Sequence, residues 1–366
     1  MSTQLLYQIA LTLVPNIGCV QAKVLTEKFG NAQDIFKARL HELSLVENMG
    51  EVRAACIKEF TGFNEVEEEI RFIEKYRIEP LFVTDERYPR RLLNCYDAPA
   101  LLYYRGNADL NARNIVSIIG TRNNTDYGKL LTEKLVHDLK EQEVLIVSGL
   151  AFGIDAIAHK AALSNGLHTV GVLAHGLDTI YPAQHKGLAK EMMQQGGLLT
   201  ELRRLTRPDK HNFPRRNRIV AGMADAVVVI ETAAKGGSMI TAELAGGYRK
   251  DVFAFPGRVG DAKSAGCNML IKNNKAHLLG GAQDLLEKMG WAAKKKTSAP
   301  KQKELFIEMT ADERALVNIL GEKESVHIDE LYFKSGLSSS SVAAAILNLE
   351  LQGVMAGLPG KMYRLI

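Results

Sequence analysis

The sequence predicts an α/β protein with a doubly wound, mostly parallel sheet at its centre, a helical domain before the sheet and a winged helix after it. Between residues 110 and 290, short runs rich in Val and Ile alternate with helical patterns, as expected for strands covered by helices on both faces. Residues 1–80 space their apolar positions as helices do. Residues 305–366 have the pattern of three helices and a hairpin.

The predicted strands are six short apolar runs, at residues 115–119, 144–148, 169–173, 198–201, 226–230 and 252–255. Helical patterns lie between them, for example at 128–142 and 156–164. Ligands of such sheets bind outside the carboxyl ends of the strands. We therefore expect functional residues in the loops that follow these strands.

The helical domain, residues 1–80, contains a faint internal repeat. Residues 14–18 read VPNIG, and residues 46–50, found 32 positions later, read VENMG. Each is followed by an alanine that permits close helix packing, so the two copies resemble a pair of helix-hairpin-helix units. Asn16 and Asn48 stand where that motif usually has its first glycine. Two readings stay open: turn amides that contact a phosphate, or a small helical domain without nucleic-acid contact.

The C-terminal region begins with a predicted flexible linker at 291–304, which carries lysines, alanines, serine and proline. Helices are predicted at 311–320, 328–334 and 338–351, with strands at 354–355 and 362–365 forming a wing. The last helix, which would be the recognition helix, contains no Lys or Arg and carries Glu350. Because a duplex-reading helix offers cations to the DNA backbone, we favour a protein contact or support of a dimer over groove binding.

Composition bounds the class of protein. The chain has 366 residues, 46% of them hydrophobic and 24% charged, with a net charge of +4. No apolar stretch is long enough to cross a membrane, and the N-terminus lacks the basic start of a signal peptide. Four scattered cysteines disfavour a disulfide scaffold or a zinc site. We expect a cytoplasmic protein without membrane association, metal or cofactor.

Two predicted strand ends carry glycine-rich turns. Ser117 and Gly120 precede Arg122 at the end of the first predicted strand, and Ser148 and Gly149 end the second. Glycine lets backbone amides approach an anion, and Arg supplies a planar, forked donor that matches phosphate. Neither turn has the GxGxxG or Walker A pattern, which disfavours a nicotinamide-dependent oxidoreductase.

Asp155 and His159 lie four residues apart, on one face of the helix predicted after the second turn. The pair could bind a metal or pass a proton. We favour an internal hydrogen bond that fixes the loop.

A basic run is the strongest charge signal. Seven basic residues and one acid occur between Arg203 and Arg218. Single-stranded nucleic acid needs cations along its phosphates and aromatic faces for its bases. We predict a loop here in which Lys210, Arg215 and Arg216 meet phosphates and Phe213 stacks on bases. Arg216 and Arg218 could instead pair with acids inside the fold.

A third glycine-rich turn contains Lys235 and Ser238, just before a predicted helix. A helix N-terminus with small residues and a lysine is an anion cradle. The segment also looks like the PGG-x-GT-x-x-E loop of nucleotide-monophosphate hydrolases of the lysine-decarboxylase-like group, although Lys235 replaces the proline. Such an enzyme is the alternative function, with Glu231 and Glu243 as its candidate acids or bases.

Several motifs together resemble the DNA processing protein family, DprA/Smf. The matching segments are residues 117–122, 148–159, 176–182, 213–222, 235–238 and 255–257. The resemblance implies a sterile-alpha-motif-like helical domain (1–80), an extended Rossmann domain (81–290), a linker (291–304) and a winged helix (305–366). It also implies binding and protection of single-stranded DNA, loading of the RecA recombinase in natural transformation and recombination, a homodimer, and no catalysis.

The resemblance carries over to individual positions. Arg122 matches the family's phosphate-binding arginine, Lys210 and Phe213 lie where it has a phosphate lysine and a stacking aromatic, and Lys235 and Ser238 match its lysine-glycine-serine loop. Residues 258–279 are expected to form part of the dimer interface. The residues predicted to bind DNA are Ser117, Gly120, Arg122, Ser148, Gly149, Lys210, Phe213, Arg215, Arg216, Lys235 and Ser238.

Overall fold

The computed structural model describes residues 3–292, 309–321, 323 and 325–365. The chain forms two compact units, Met1–Ala293 and Lys294–Ile366, and each is described by itself. The predicted linker at 291–304 lies outside the described residues except for Trp291 and Ala292. The backbone amides of these two residues both donate to the carbonyl of Leu286.

The described part of the first unit opens with helices: α1 Thr3–Leu13, α2 Cys19–Phe29, α3 Ala32–Lys37, α4 Leu40–Ser44, α5 Gly50–Lys58 and α6 Phe63–Tyr76. The two repeated segments form equivalent turns, one between α1 and α2 and one between α4 and α5. Asn16 and Asn48 both adopt a positive φ, 63° and 59°. Asn tolerates this left-handed conformation better than most residues, which explains how it replaces the glycine of the motif. Neither alternative for these turns, contact with a phosphate or a helical domain without nucleic-acid contact, is tested by this geometry.

The sheet of the first unit has nine strands in its described part: β1 Glu79–Phe82, β2 Leu101–Gly106, β3 Ile115–Ile119, β4 Leu145–Ser148, β5 Thr169–Val172, β6 Gly196–Thr200, β7 Ala226–Val229, β8 Asp251–Ala254 and β9 His277–Leu278. Their spatial order is β1-β2-β6-β5-β4-β3-β7-β8-β9. Strands β3 to β9 pair in parallel, while β2 pairs antiparallel with both β1 and β6. The six predicted strands are confirmed as β3 to β8, with ends that differ by at most two residues.

Three strands of this sheet were not predicted. Pro80 in β1 argues against a strand, but β1 is an edge strand, where proline is tolerated. Strand β2 finds its partner β6 about 90 residues later in the chain, a pairing that local patterns do not show. Strand β9 has only two residues.

Helices cover both faces of the sheet: α7 Arg90–Leu93, α8 Asp126–Asp138, α9 Ile154–Ser164, α10 Lys186–Gln194, α11 Asn212–Met223, α12 Gly237–Gly247, α13 Ala265–Lys272 and α14 Ala282–Lys288. Along β7, Val227 and Val229 face one core and Val228 faces the other. The first of these cores also contains Ile9 and Leu25 of the N-terminal helices. The doubly wound sheet is therefore confirmed, and a division of this unit at residue 80 stays a prediction.

The direction of winding reverses next to β3. Its neighbours are β4 on one side and β7 on the other. At such a switch point the loops that leave adjacent strands diverge and open a crevice at the carboxyl edge of the sheet. The loops after β3, β4 and β7 are those with the three glycine-rich turns.

The described part of the second unit contains α15 Ala311–Leu320, β10 Val326–His327, α16 Ile328–Ser335, α17 Ser339–Leu351, β11 Met355–Leu358 and β12 Met362–Leu365. The strands pair antiparallel in the order β10-β12-β11. Leu316, Leu331, Val342 and Leu349 are fully buried in its core. The predicted three helices and hairpin are confirmed.

None of the helices in the described ranges has the length and apolar character that crossing a bilayer requires. In the same ranges, no cluster of three or more His, Cys, Asp or Glu side chains is arranged to hold a metal ion. Cys19, Cys56, Cys95 and Cys267 are free thiols.

Candidate nucleic-acid interface

Three adjoining depressions at the carboxyl edge of the sheet share Arg122 and Phe213 as lining residues. The central cavity, about 300 Å³, lies between the loops after β3, β4 and β7. The residues around it include Gly120, Arg122, Gly149, Asp155, Phe213, Arg216, Lys235 and Ser238. The outer groove, about 500 Å³, is lined by residues that include Arg122, Tyr181, Lys210, Phe213 and Asn217. The inner pocket, about 40 Å³, is lined by residues that include Phe152, His175, Pro182, Phe213 and Arg216.

The loop that carries Arg122 is held by backbone contacts of the neighbouring Thr121 and by close packing of Gly153. The amide of Thr121 donates to the carbonyl of Glu231 at 2.8 Å, and the amide of Ile154 donates to the carbonyl of Thr121 at 3.2 Å. Gly153, at φ 79°, passes so close that a Cβ there would lie 2.5 Å from the Arg122 carbonyl oxygen. The exposed side chain lies over Phe213, with its guanidinium carbon 5.4 Å from the ring centre. A guanidinium stacked in this way keeps its N–H groups, in the plane of the fork, available to an anion.

From Asn212 onward the basic segment is helical, which corrects the prediction of a loop there. Helix α11 begins at Asn212, so Pro214 lies in its first turn, where an N–H has no intrahelical acceptor and proline is tolerated. Its arginines differ in exposure: Arg215 is exposed, whereas Arg216 and Arg218 are each 8% exposed. The helical period therefore gives neighbouring basic residues different roles.

Lys210 and Phe213 lie at the start of this helix and both line the outer groove. Lys210 is exposed and has no hydrogen bond or ion pair within the described residues. The Phe213 ring is half-buried and lies 6.3 Å from the ring of Tyr181. The structure thus brings Arg122, Lys210 and Phe213 together, as the sequence predicts.

Much of the basic run is neutralised within the fold. Arg203 pairs with Glu65 of α6 at 2.6 Å, and Arg204 pairs with Glu68 of the same helix. Buried Arg218 pairs with Glu201. The net positive charge that this run presents at the surface is therefore smaller than the sequence suggests. Acidic residues from other parts of the chain pair with several of its arginines.

Arg215, Ser117 and Ser148 were also predicted to bind DNA, but they line none of the three depressions. Nη2 of Arg215 lies 3.8 Å from Glu201. The two serines are fully buried. Ser117 donates to the carbonyl of Val220 at 2.7 Å and Ser148 to the carbonyl of Ile118 at 2.6 Å. Their hydroxyls join α11 and β4 to β3 instead of facing a ligand.

Gly120 and Gly149 line the central cavity. A side chain would collide with neighbouring atoms at either position. A Cβ on Gly120 would lie 2.5 Å from Ile154. A Cβ on Gly149 would lie 1.8 Å from Nη1 of Arg216. The two glycines let α9 and Arg216 pack against the strand ends.

Lys235 and Ser238 border the central cavity at the start of α12. Lys235 is exposed and has no partner within the described residues. The Ser238 hydroxyl donates to Oγ1 of Thr232 at 2.7 Å. The first amides of α12 and Lys235 therefore lie together beside the cavity, and anion binding by them stays a prediction.

Arg216 and Asp155 are buried charges on the wall of the central cavity. Burial lowers the pKa of Arg216 and raises the pKa of Asp155, and each group opposes the shift of the other. The Asp155 carboxylate accepts a hydrogen bond from the Ala151 amide at 3.3 Å. Nε of Arg216 is buried without a hydrogen-bond partner among the described residues.

His159 fixes the loop after β4, as predicted. Its Nε2 donates to the carbonyl of Gly149 at 2.5 Å, and its Nδ1 lies 2.6 Å from Oγ1 of Thr169. Burial lowers the pKa of His159 to about 4. The imidazole is therefore neutral near pH 7, and its two ring nitrogens connect the loop after β4 to Thr169 at the start of β5.

Tyr181 and Asn217 belong to the site but were not predicted as site residues. Both line the outer groove, and Asn217 also donates from Nδ2 to the carbonyl of Gly237 at 3.3 Å. Residues 176–182 and 213–222 contributed to the family resemblance. The aromatic character of Tyr181 was the signal that could have identified it.

Glu231 and Glu243, the acids or bases predicted for the hydrolase alternative, do not line the central cavity. Glu231 accepts hydrogen bonds from the amide of Thr125 at 2.9 Å and from its hydroxyl at 2.5 Å. Glu243 is exposed and lies 3.5 Å from Lys275. Neither side chain lines the cavity, which counts against the hydrolase alternative.

Comparison with known proteins identifies two matching regions. Residues 79–290 match the family described as DNA recombination-mediator protein A, and residues 295–361 match the DprA winged helix domain. The family match covers the sheet and the three depressions.

Curated relatives and solved structures agree with these matches. Protein Smf from Synechocystis sp. is 32% identical, with 98% of each chain covered. The X-ray structure of DNA processing protein A from Streptococcus pneumoniae is 34% identical, with a TM-score of 0.67 over 77% of this chain and 97% of that one. The Helicobacter pylori DNA processing protein A, whose structure concerns a single-stranded DNA binding mode, is 32% identical, with a TM-score of 0.54 over 59% of this chain and 97% of that one.

Proposed function

The chain belongs to the DNA recombination-mediator protein A family, and we propose that it binds single-stranded DNA independently of sequence at the carboxyl edge of its sheet. The observation that carries this proposal is the shared outer groove of Arg122, Lys210 and Phe213. It combines two cations with an aromatic face, the two elements that recognition of unpaired strands requires. The single-stranded DNA binding mode described for the Helicobacter pylori relative supports the proposal.

Phosphates are bound by the cations at the rim. Arg122, Lys210 and Lys235 are exposed around the adjoining cavity and groove. Contacts of this kind are independent of sequence and weaken as salt rises. The N-terminus of α12 adds backbone donors for a phosphate beside Lys235.

Bases stack on the aromatic side chains. Phe213 presents a half-buried ring, and Tyr181 is 50% exposed beside it. Stacking tolerates every base because each has a π-face. Duplex DNA binds less well, because its bases are already stacked and paired.

The bound strand is protected from nucleases and passed to the RecA recombinase, in the cytoplasm, during natural transformation and homologous recombination. The family's description as a recombination mediator supports this part of the proposal. A mediator needs no chemical step of its own, in agreement with the position of Glu231 and Glu243 outside the central cavity.

Two copies of the chain pair through the β9 side of the sheet. Strand β9 is an edge strand, and apolar Met269 and Leu278 are 38% and 56% exposed beside it. Both lie in the segment 258–279 predicted for the interface. Two linked sites raise the affinity for one long strand through effective concentration.

The winged helix makes a protein contact. Helix α17 carries no Lys or Arg, and its Leu347 and Leu351 are 57% and 78% exposed. Phe333 of α16 is 90% exposed. On α17, apolar exposure without cations fits a protein surface better than a DNA backbone.

The proposal is tested by direct competition between DNA forms. A fluorescent single strand bound to the full-length protein is displaced with unlabelled single strands or duplexes of the same length, at physiological salt. Single strands should compete at least ten times better. Equal competition by duplex would remove the role assigned to base stacking, and no binding of the labelled strand would overturn the function.

A further inference from the structure

Arg216 is a buried cation to which the proposed function assigns no contact with DNA. It lies between the central cavity and the inner pocket and lines both. The residue is 8% exposed, and its Nε has no hydrogen-bond partner within the described residues. Arginine stays protonated in proteins and presents donors in a fixed fork. An unsatisfied buried donor of this kind indicates an acceptor that arrives with a ligand.

The charges around the central cavity are unbalanced. Arg122, Arg216 and Lys235 contribute three positive charges, and Asp155 contributes one negative charge when ionised. The surplus is then two positive charges, and it is three if Asp155 is protonated. A phosphodiester carries one negative charge, whereas a phosphomonoester carries about 1.5 to 2 at pH 7. The monoester is the better match in either state of Asp155.

The shape of the cavity also favours the terminal phosphate of a DNA strand over an internal phosphodiester. Its buried lining residues include Arg216 and Val220. An internal phosphodiester must enter and leave with a nucleotide on each side, whereas a terminal phosphate has one connection and three free oxygens. Those oxygens can accept from the buried Arg216, from the exposed Lys235 and from the first amides of α12.

We propose that the central cavity binds the terminal phosphomonoester of a DNA strand, with Arg216 as its buried partner. This inference rests on the proposed single-strand binding: the outer groove holds the following nucleotides and the central cavity recognises the end. The 5′ and 3′ termini supply the same phosphomonoester chemistry, and the experiment distinguishes them.

The test compares ligands that differ only at their ends. Oligothymidylates of about ten nucleotides, a length typical of single-strand binding modules, are prepared with a 5′-phosphate, a 3′-phosphate or hydroxyls at both ends. A fourth oligonucleotide carries a 5′-phosphate capped as its methyl ester, which keeps the size but leaves one charge. A fifth is the matching 3′-methyl ester. Affinities of the full-length protein are measured by competition.

We expect one phosphorylated end to bind about tenfold tighter than the hydroxyl and methyl-ester forms, as one additional charge-assisted contact would give. The preferred end identifies the terminus. Equal affinities for all five would overturn this inference while leaving single-strand binding intact. Failure of every oligonucleotide to bind would instead overturn the proposed function.

Variants of Arg216 assign the effect to this residue. The readout is the ratio of affinities for phosphorylated and methyl-ester ends, measured within each variant. Arg216→Met should reduce the ratio to near one, and Arg216→Lys should retain part of it. Lys190→Ala, an exposed position on α10 outside the three depressions, should keep the wild-type ratio. A preserved ratio in a folded Arg216→Met protein would overturn the role of Arg216, and the ligand series on the unaltered protein tests the site even if that variant does not fold.

Discussion

The guanidinium carbon of Arg122 lies 5.4 Å from the centre of the Phe213 ring, although 91 positions separate the two residues in sequence. The contact joins the loop after β3 to the first turn of α11. It places a side chain that can donate hydrogen bonds to a phosphate directly beside an aromatic ring on which a base can stack. The spacing of charge and ring suits a nucleotide, which presents both a phosphate and a base.

Replacing Phe213 separates the stacking contribution from the charge contribution. Phe213→Leu keeps apolar bulk but removes the π-face, so affinity for single-stranded DNA should fall by about 1–3 kcal/mol for each base stacked there. Phe213→Tyr should retain most of the affinity. Fluorescence anisotropy at several salt concentrations checks this. A Leu variant that binds as tightly as the Tyr variant would contradict the stacking role.

Replacing Gly149 tests how closely the loop after β4 packs on Arg216. The added methyl of Gly149→Ala would lie 1.8 Å from Nη1 of Arg216 and 2.4 Å from Oδ2 of Asp155. Overpacking of this kind costs about 1–3 kcal/mol, so the melting temperature should fall. Gly187→Ala is the matched control, because no atom lies within 4 Å of a Cβ there and alanine favours helix α10. An unchanged melting temperature for Gly149→Ala would show that the loop has room.

The buried imidazole of His159 makes stability depend on pH. Its pKa is about 4 in the fold, below the ordinary 6.5, so the unfolded chain takes up a proton first as pH falls. The free energy of unfolding should therefore decrease between about pH 6.5 and 4, by about 3 kcal/mol from this group. Urea denaturation at pH 7 and pH 4.5 measures the decrease.

The pH effect is assigned to His159 by comparison of variants. His159→Gln should show a smaller decrease than the wild type, and His168→Gln, at an exposed position, should show the full decrease. Burial raises the pKa values of Asp155 and Glu201, which act in the opposite direction but are common to all three proteins. Equal decreases in the three proteins would contradict the assignment.

The parallel part of the sheet could be predicted because each central strand is a short apolar run between helical patterns. The start of α11 could not. Pro214 and the arginines around it look like a loop, since the buried face of this helix is made partly of Arg216 and Arg218. Only the tertiary structure supplies Asp155 and Glu201, the acids that make such burial tolerable.

The site residues that could be predicted from the sequence are charged ones, because an unpaired charge is unfavourable in the core and remains at the surface. Arg122, Lys210 and Lys235 were identified by charge at strand or helix ends, and they lie around the adjoining central cavity and outer groove. Ser117 and Ser148 were predicted as site residues, but the hydroxyl of each is buried and donates to a neighbouring backbone carbonyl. A sequence pattern does not distinguish a serine that faces a ligand from one that faces the core.

The most direct test of the central claim is the salt dependence of single-strand binding in Arg122→Ala and Lys210→Ala, with Lys190→Ala as control. Each site variant should lose about tenfold in affinity at low salt. Its slope of log affinity against log salt should become shallower by about 0.7, the contribution of one phosphate contact. The control should match the wild type. Wild-type affinity and slope in both site variants, with the fold intact by circular dichroism, would contradict the proposed interface.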